Sequence, residues 1–265
     1  MMPPRSIYAR KLLEFPTLAF GDEAAFQWGG RWREFFGSRI GPSFSGRVIL
    51  EIGCFDADYL ARIAAQHPDT AFIGLDWKCK ALYTGAEQIT RLGLSNVALL
   101  RARAQDIGRI FSVGELDEVW VFHPDPCDRE VELPNRLIAE PFLCDLQPVL
   151  RDADSRVCLK TDHPGYYQWA LSLFGLPAPY WFHAQRPSGS PRVKVRELMA
   201  GGELPAPSAR AQQLYSVSAN SPDFWHDAAA LAHTRDRCFS GEVTVFESRF
   251  VRKNLPIYYL EWRKT

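Results

Sequence analysis

The chain has 265 residues, 46% of them hydrophobic, and carries 31 basic and 31 acidic side chains. That length and apolar content suit one large globular domain with room for an appendage. A net charge of zero excludes a protein that holds polyanions by bulk charge, although a local basic patch can still steer a ligand.

Residues 1–45 form a lead-in rich in aromatics, including Phe26, Trp28, Trp32, Phe35 and Phe36. The mixture predicts short helices packed on the main domain by those rings. Arg5, Arg10 and Lys11 make a basic cluster that either contacts phosphate or is simply solvated. Met1-Met-Pro-Pro-Arg-Ser lacks a signal-peptide core, and no apolar run approaches the roughly 20 residues of a membrane span.

From residue 47 to 175, apolar runs alternate with helical patterns. Strands are expected at 47–52, 71–76, 96–100, 116–122 and 156–161, and helices at 57–67, 77–93, 105–112, 135–149 and 164–175. Such alternation implies an α/β fold, with a parallel sheet and helices on both faces. The first strand, Val48-Ile-Leu-Glu-Ile, runs into Gly53 and a helix entry near Ala57, the pattern of a nucleotide-binding βα unit. The second strand ends in Asp76, 23 positions after Gly53, where such folds place an acid on a ribose. Ligands of open parallel sheets lie beyond the carboxyl ends of the strands. Glu51, Asp76, Asp125 and Asp162 all fall at or just past those ends, so four carboxylates are expected on one rim.

Residues 185–240 break the alternation with Pro- and Gly-rich loops and are expected as a partly mobile insertion. Arg186, Arg192, Lys194 and Arg196 form a basic arm in it, read either as a solvated loop or as phosphate contacts. Val243–Phe246 and Ile257–Trp262 are expected to be strands closing the sheet. The six cysteines (Cys54, Cys79, Cys127, Cys144, Cys158, Cys238) contain no CxxC pair and mostly sit in apolar runs. They predict reduced thiols in a cytoplasmic setting rather than a disulfide framework or a zinc site.

Five pieces, in order, resemble the tRNA (guanine-N7)-methyltransferase family. They are Leu50-Glu-Ile-Gly53, Phe72-Ile-Gly-Leu-Asp76, Phe122-His-Pro-Asp-Pro126, Thr161-Asp-His163 and Thr244-Val-Phe-Glu247 with Ile257-Tyr-Tyr-Leu260 beyond. The resemblance covers about 46–183 and 241–263, and implies a methyltransferase domain over 46–184 and 241–265. It implies a Rossmann-like class I fold with a mostly parallel seven-stranded sheet. It further implies S-adenosylmethionine as methyl donor, and as acceptor a guanine of the tRNA variable loop, at tRNA position 46. On that pattern Glu51 and Gly53 lie along the methionine end of the donor. Asp76 holds the ribose, position 103 lies near the adenine, and Asp125 sits where donor and guanine meet as the catalytic acid. Arg129, Asp162, Thr244 and Glu247 contact the substrate. No metal and no membrane are implied, and the state is monomer or homodimer.

Guanine N7 has an in-plane lone pair and no proton, so attack on a sulfonium methyl needs alignment rather than a general base. The base gains positive charge, which a carboxylate stabilises. The chain departs from the family at several points. The Gly-x-Gly-x-Gly loop is here Gly53-Cys-Phe55-Asp-Ala57. Arg103 replaces an acid, Cys127 replaces a Trp, an acidic run 128–132 replaces a basic one, and Asn254 falls near a family glycine. Two alternatives therefore stand beside the methyltransferase reading. One is a relative that has lost the donor and binds RNA or protein; the other is a methyltransferase for a small molecule.

Overall fold

The computed structural model describes residues 7–127, 130–177 and 204–265. Eight strands form one sheet: β1 (Ala19–Gly21), β2 (Val48–Ile52), β3 (Ala71–Asp76), β4 (Val97–Arg101), β5 (Glu118–Phe122), β6 (Arg156–Thr161), β7 (Tyr215–Ser221) and β8 (Tyr258–Lys264). Their order is β1-β4-β3-β2-β5-β6-β8-β7. The pairs from β1 to β6 are parallel, and β8 runs antiparallel to both β6 and β7.

The central strands β2, β3 and β5 are buried along their whole length. That is what near-continuous apolar runs produce when helices cover both faces. Side chains alternate between two cores. Val48, Leu50, Ile52, Val119 and Val121 meet the helices Trp32–Ile40, Glu140–Val149 and Pro164–Leu173. Ile49, Phe72, Leu99, Trp120 and Phe122 meet Asp58–Gln66, Cys79–Leu92 and Ala228–His233. The lead-in packs by its aromatics, as expected: Trp32 and Phe36 are fully buried against the first core. Buried Glu115 holds it there, accepting from the backbone N–H of Gly30 and Trp32 at 2.8 Å each.

Two expected features differ in the structure. Val243–Phe246 is not a strand, because Thr244 caps the helix Val245–Val251 through a reciprocal capping box with Glu247. The strand partner of β8 on that side is β7, inside the stretch read as an insertion. The eighth strand, β1, comes from the lead-in. The basic arm Arg186, Arg192, Lys194 and Arg196, together with Arg5 and Arg129, lies outside the described residues.

The chain moves outward from β2 to β3 and β4, then returns to place β5 on the other side of β2. In open sheets of this kind such a reversal marks the crevice where ligands bind, here at the carboxyl ends of β2 and β5. Gly85, in the helix Cys79–Leu92, lets that helix approach the crevice loop: a Cβ there would meet the Asp56 carbonyl oxygen at 2.6 Å. Gly85→Ala is therefore expected to lower stability by roughly 1–3 kcal/mol, the usual cost of overpacking, measured by denaturant unfolding. An unchanged midpoint would contradict the close approach.

Candidate active site at the strand ends

The loop after β2 keeps the backbone path of a glycine-rich loop although it retains one glycine. Gly53, Phe55 and Ala57 all have left-handed φ, at 81°, 52° and 53°. An L-residue pays about 1–2 kcal/mol for that conformation. Hydrogen bonds hold the path against this cost. Gly53 and Cys54 N–H donate to the Leu75 carbonyl at 2.7 and 3.2 Å. Phe55 N–H donates to Asp76 Oδ2 at 3.0 Å. Asp76 Oδ1 accepts from Lys78 N–H at 2.8 Å. Asp76 thus joins the loop to the entry of the next helix, and a carboxylate has about four acceptor positions, so capacity remains. The Phe55 ring is 53% exposed, with Lys78 Nζ 5.6 Å from its centre. It turns outward and does not plug the space behind the loop.

Glu51 is 5% exposed, and its Oε2 has no hydrogen-bond partner. Burial, followed by the nearby charges of Asp56, Asp76 and Glu247, pushes its carboxyl up to about 8, with Lys160 opposing. Tyr59, buried on the helix Asp58–Gln66, lies within the influence of both Glu51 and Glu247. Glu51, Asp76 and Glu247 therefore face one region, although they come from β2, β3 and the helix Val245–Val251.

Lys160 is the counter-charge. It is fully buried on β6, its Nζ 3.2 Å from Glu247 Oε1. Four rings surround the ammonium at 4.7–5.0 Å: Phe122, Phe224, Trp225 and Phe239. Such faces stabilise a desolvated cation. Burial raises the Glu247 carboxyl, but Lys160 and then His123 outweigh it, so Glu247 stays below its ordinary value. Its other oxygen, Oε2, accepts from Thr244 N–H at 2.8 Å.

His123 opens the turn after β5 with a left-handed φ of 53°. Its Nδ1 is 3.7 Å from Asp162 Oδ1 and its Nε2 is 4.0 Å from Glu247 Oε1. Neither nitrogen has a hydrogen-bond partner, and the ring packs on Phe246 at 4.7 Å. Asp162 thus sits at one nitrogen of His123 and Glu247 at the other. The N-cap of the helix Pro164–Leu173 is His163, whose Nδ1 accepts from Tyr166 N–H at 3.0 Å.

The structure therefore gathers Glu51, Gly53, Asp76, Asp162, Thr244 and Glu247 around the crevice. Two expected residues make no described contact with this group. Asp125 is on an exposed turn, its Oδ1 accepting from Cys127 N–H at 3.2 Å. Arg103 is exposed, just before the short helical turn Ala104–Asp106. Sequence reasoning missed Lys160 and its aromatic wall. The available signal was a lysine inside a buried parallel strand, a place where an unpaired lysine is rare.

A pocket of about 530 Å³ lies away from these residues, at the amino ends of the strands. Its charges pair with one another, Arg47 with Glu118 at 2.6 Å and Arg151 with Asp117 at 2.9 Å, so it reads as a structural network. Among the described residues, no helix is long and apolar enough to cross a membrane.

Two predictions follow from this geometry. Phe55→Gly removes the left-handed penalty at little loss of burial and is expected to raise stability by about 0.5–1 kcal/mol, read as a higher melting temperature. The second concerns Glu51, whose carboxyl is raised on folding, so its contribution to stability is full at low pH and is lost as pH climbs to about 8. Glu51→Gln should therefore gain on the wild type by ~1 kcal/mol per pH unit between about pH 5 and 8. Parallel pH–stability curves for the two proteins would contradict a buried, protonated Glu51.

Comparison with known proteins bears on the family and the fold. A family described as "Putative methyltransferase" matches residues 45–198. A tRNA (guanine-N(7)-)-methyltransferase of Porphyromonas gingivalis is 34% identical over 158 residues, covering 58% of this chain and 62% of that protein. Its namesake from Cytophaga hutchinsonii is 35% identical over 144 residues, covering 54% and 62%. The chain thus spans less than two thirds of the length of these relatives. The crystal structure of the 16S rRNA methyltransferase KamB superposes with a TM-score of 0.51 at 14% identity, over 86% of this chain and 92% of that one, which shows the shared fold. With more than half of its length matched, the chain belongs to the family described as "Putative methyltransferase".

Proposed function

We propose that the protein transfers a methyl group from S-adenosylmethionine to N7 of a guanine in tRNA. The observation that carries this reading is the strand-end loop. It keeps left-handed backbone at 53, 55 and 57, places Asp76 at the next strand end, and leaves a buried acceptor on Glu51 without a partner. These features fit the donor. Gly53 and Glu51 would lie along its methionine end, and the remaining acceptor positions of Asp76 would take the ribose hydroxyls. Arg103 would lie at the adenine edge. The relatives named as guanine-N7 enzymes supply the acceptor.

When bound, the donor supplies an electrophilic methyl on a sulfonium. The chain's own residues orient and balance charge. Asp162 and Glu247 would accept the N1–H and amino protons of guanine, with Thr244 fixing Glu247 through the capping box. Asp125, on the turn between β5 and the short helical turn Glu130–Asn135, would stand where donor and base meet, and Arg129 would contact the RNA. The carboxylates would stabilise the positive charge that develops on the base, and alignment provides the remaining acceleration. The site proposed for this work is cytoplasmic tRNA.

The test is methylation of tRNA lacking N7-methylguanine, read by borohydride–aniline cleavage. Cleavage at a variable-loop guanine is expected, and Asp76→Ala should lower kcat/KM by about 10–100-fold, the worth of hydrogen bonds to a charged acceptor. Absence of cleavage at high enzyme concentration would reject tRNA as the acceptor.

A further inference from the structure

Among the described residues, the crevice holds more buried carboxyl groups than cations to match them. Glu51 faces Asp56 on the loop, Asp76 at the end of β3, Glu247 on the helix Val245–Val251 and Lys160 on β6. Cys54 and Tyr59 complete its surroundings. Lys160 is the cation brought to this group, and it lies 3.2 Å from Glu247 rather than serving Glu51 alone. Glu51 Oε2 is buried with no donor aimed at it. A carboxylate in that position would be a desolvated charge without its own partner, which is strongly disfavoured, so the group keeps its proton.

A donor molecule carrying a sulfonium and an ammonium brings the missing positive charge. We infer that binding of S-adenosylmethionine ionises Glu51, its carboxyl proton passing to solvent as the cationic ligand takes the proton's place. The inference rests on the reading of the crevice as the donor site. The balance is simple: one O–H bond on Glu51 breaks, one proton enters the buffer, and the new carboxylate is offset by the ligand. Burial and the neighbouring acids hold the carboxyl at about 8 in the free protein, so the proton is present to be released near neutral pH. Donor affinity is thereby tied to pH, and low pH favours the empty, protonated state.

Titration calorimetry of the full chain with S-adenosylmethionine tests this, in phosphate and in Tris at about pH 7. The dependence of the observed heat on buffer ionisation enthalpy counts the protons released. The wild type should release close to one proton more than Glu51→Gln; the ligand's own ammonium contributes equally to both and cancels. Independently of any variant, the wild-type Kd should tighten by up to about tenfold per pH unit from about pH 6 and level off near pH 8. That profile decides the matter if Glu51→Gln does not fold. Saturable binding with equal proton counts in the two proteins, or a Kd flat over this range, would overturn the inference and leave the donor site intact. No binding at millimolar donor would overturn the donor reading and the inference together.

Discussion

One ammonium group, that of Lys160, sets the electrostatics of the strand-end crevice. It is fully buried, within an ion pair of Glu247 and inside a wall of four aromatic rings. Removing one partner of such a pair leaves a buried, unmatched charge, the most costly outcome for a protein interior. Because Lys160 is committed to Glu247, that carboxyl stays ionised while Glu51, a short way along the same rim, is held neutral. Two acids of one crevice are thus driven to opposite states by their surroundings. One faces the proposed base pocket as a fixed acceptor; the other waits for a cation.

The same arrangement gives a structural role to residues that follow the Pro- and Gly-rich loops. Phe224, Trp225 and Phe239 come from the stretch between β7 and the helix Val245–Val251, and they close the wall around Lys160. Phe239 also packs edge-on against Trp120 and Phe122 of β5. This segment therefore belongs to the support of the site, and β7 belongs to the sheet itself.

The parallel part of the fold was legible because β2 to β6 are bounded apolar runs separated by helical patterns; β3, β4 and β6 end in a polar residue, and β2 and β5 run through an apolar one into the rim turns. The C-terminal part was less so. Val243–Phe246 has the alternation of a strand, but the Thr244–Glu247 spacing is also a capping box, and that local chemistry prevails. β7, Tyr215-Ser-Val-Ser-Ala-Asn-Ser221, is too polar to announce itself, because an edge strand buries little of its length. At the site, strand-end acids were visible one by one. Their place on one rim was expected from the strand ends, but the approach of Glu247 to Glu51 was not, since it depends on how the helix Val245–Val251 returns to β2. The loop was misleading in a different way. Phe55 and Ala57 suggested a lost glycine-rich turn, yet backbone hydrogen bonds to Leu75 and Asp76 impose the left-handed path without glycine. Asn254, where the family has glycine, likewise adopts φ of 50°, a conformation Asn tolerates better than most residues.

The central claim is that Glu51, Asp76, Asp162 and Glu247 line a single crevice that receives a nucleoside donor beside a purine. A crystal structure of the protein with S-adenosylhomocysteine tests it most directly. The account predicts ligand density along residues 53–57, the ribose hydroxyls on Asp76, and the methionine end directed toward Glu51. Ligand bound at another surface, or a Phe55 ring turned inward to fill the crevice, would contradict it.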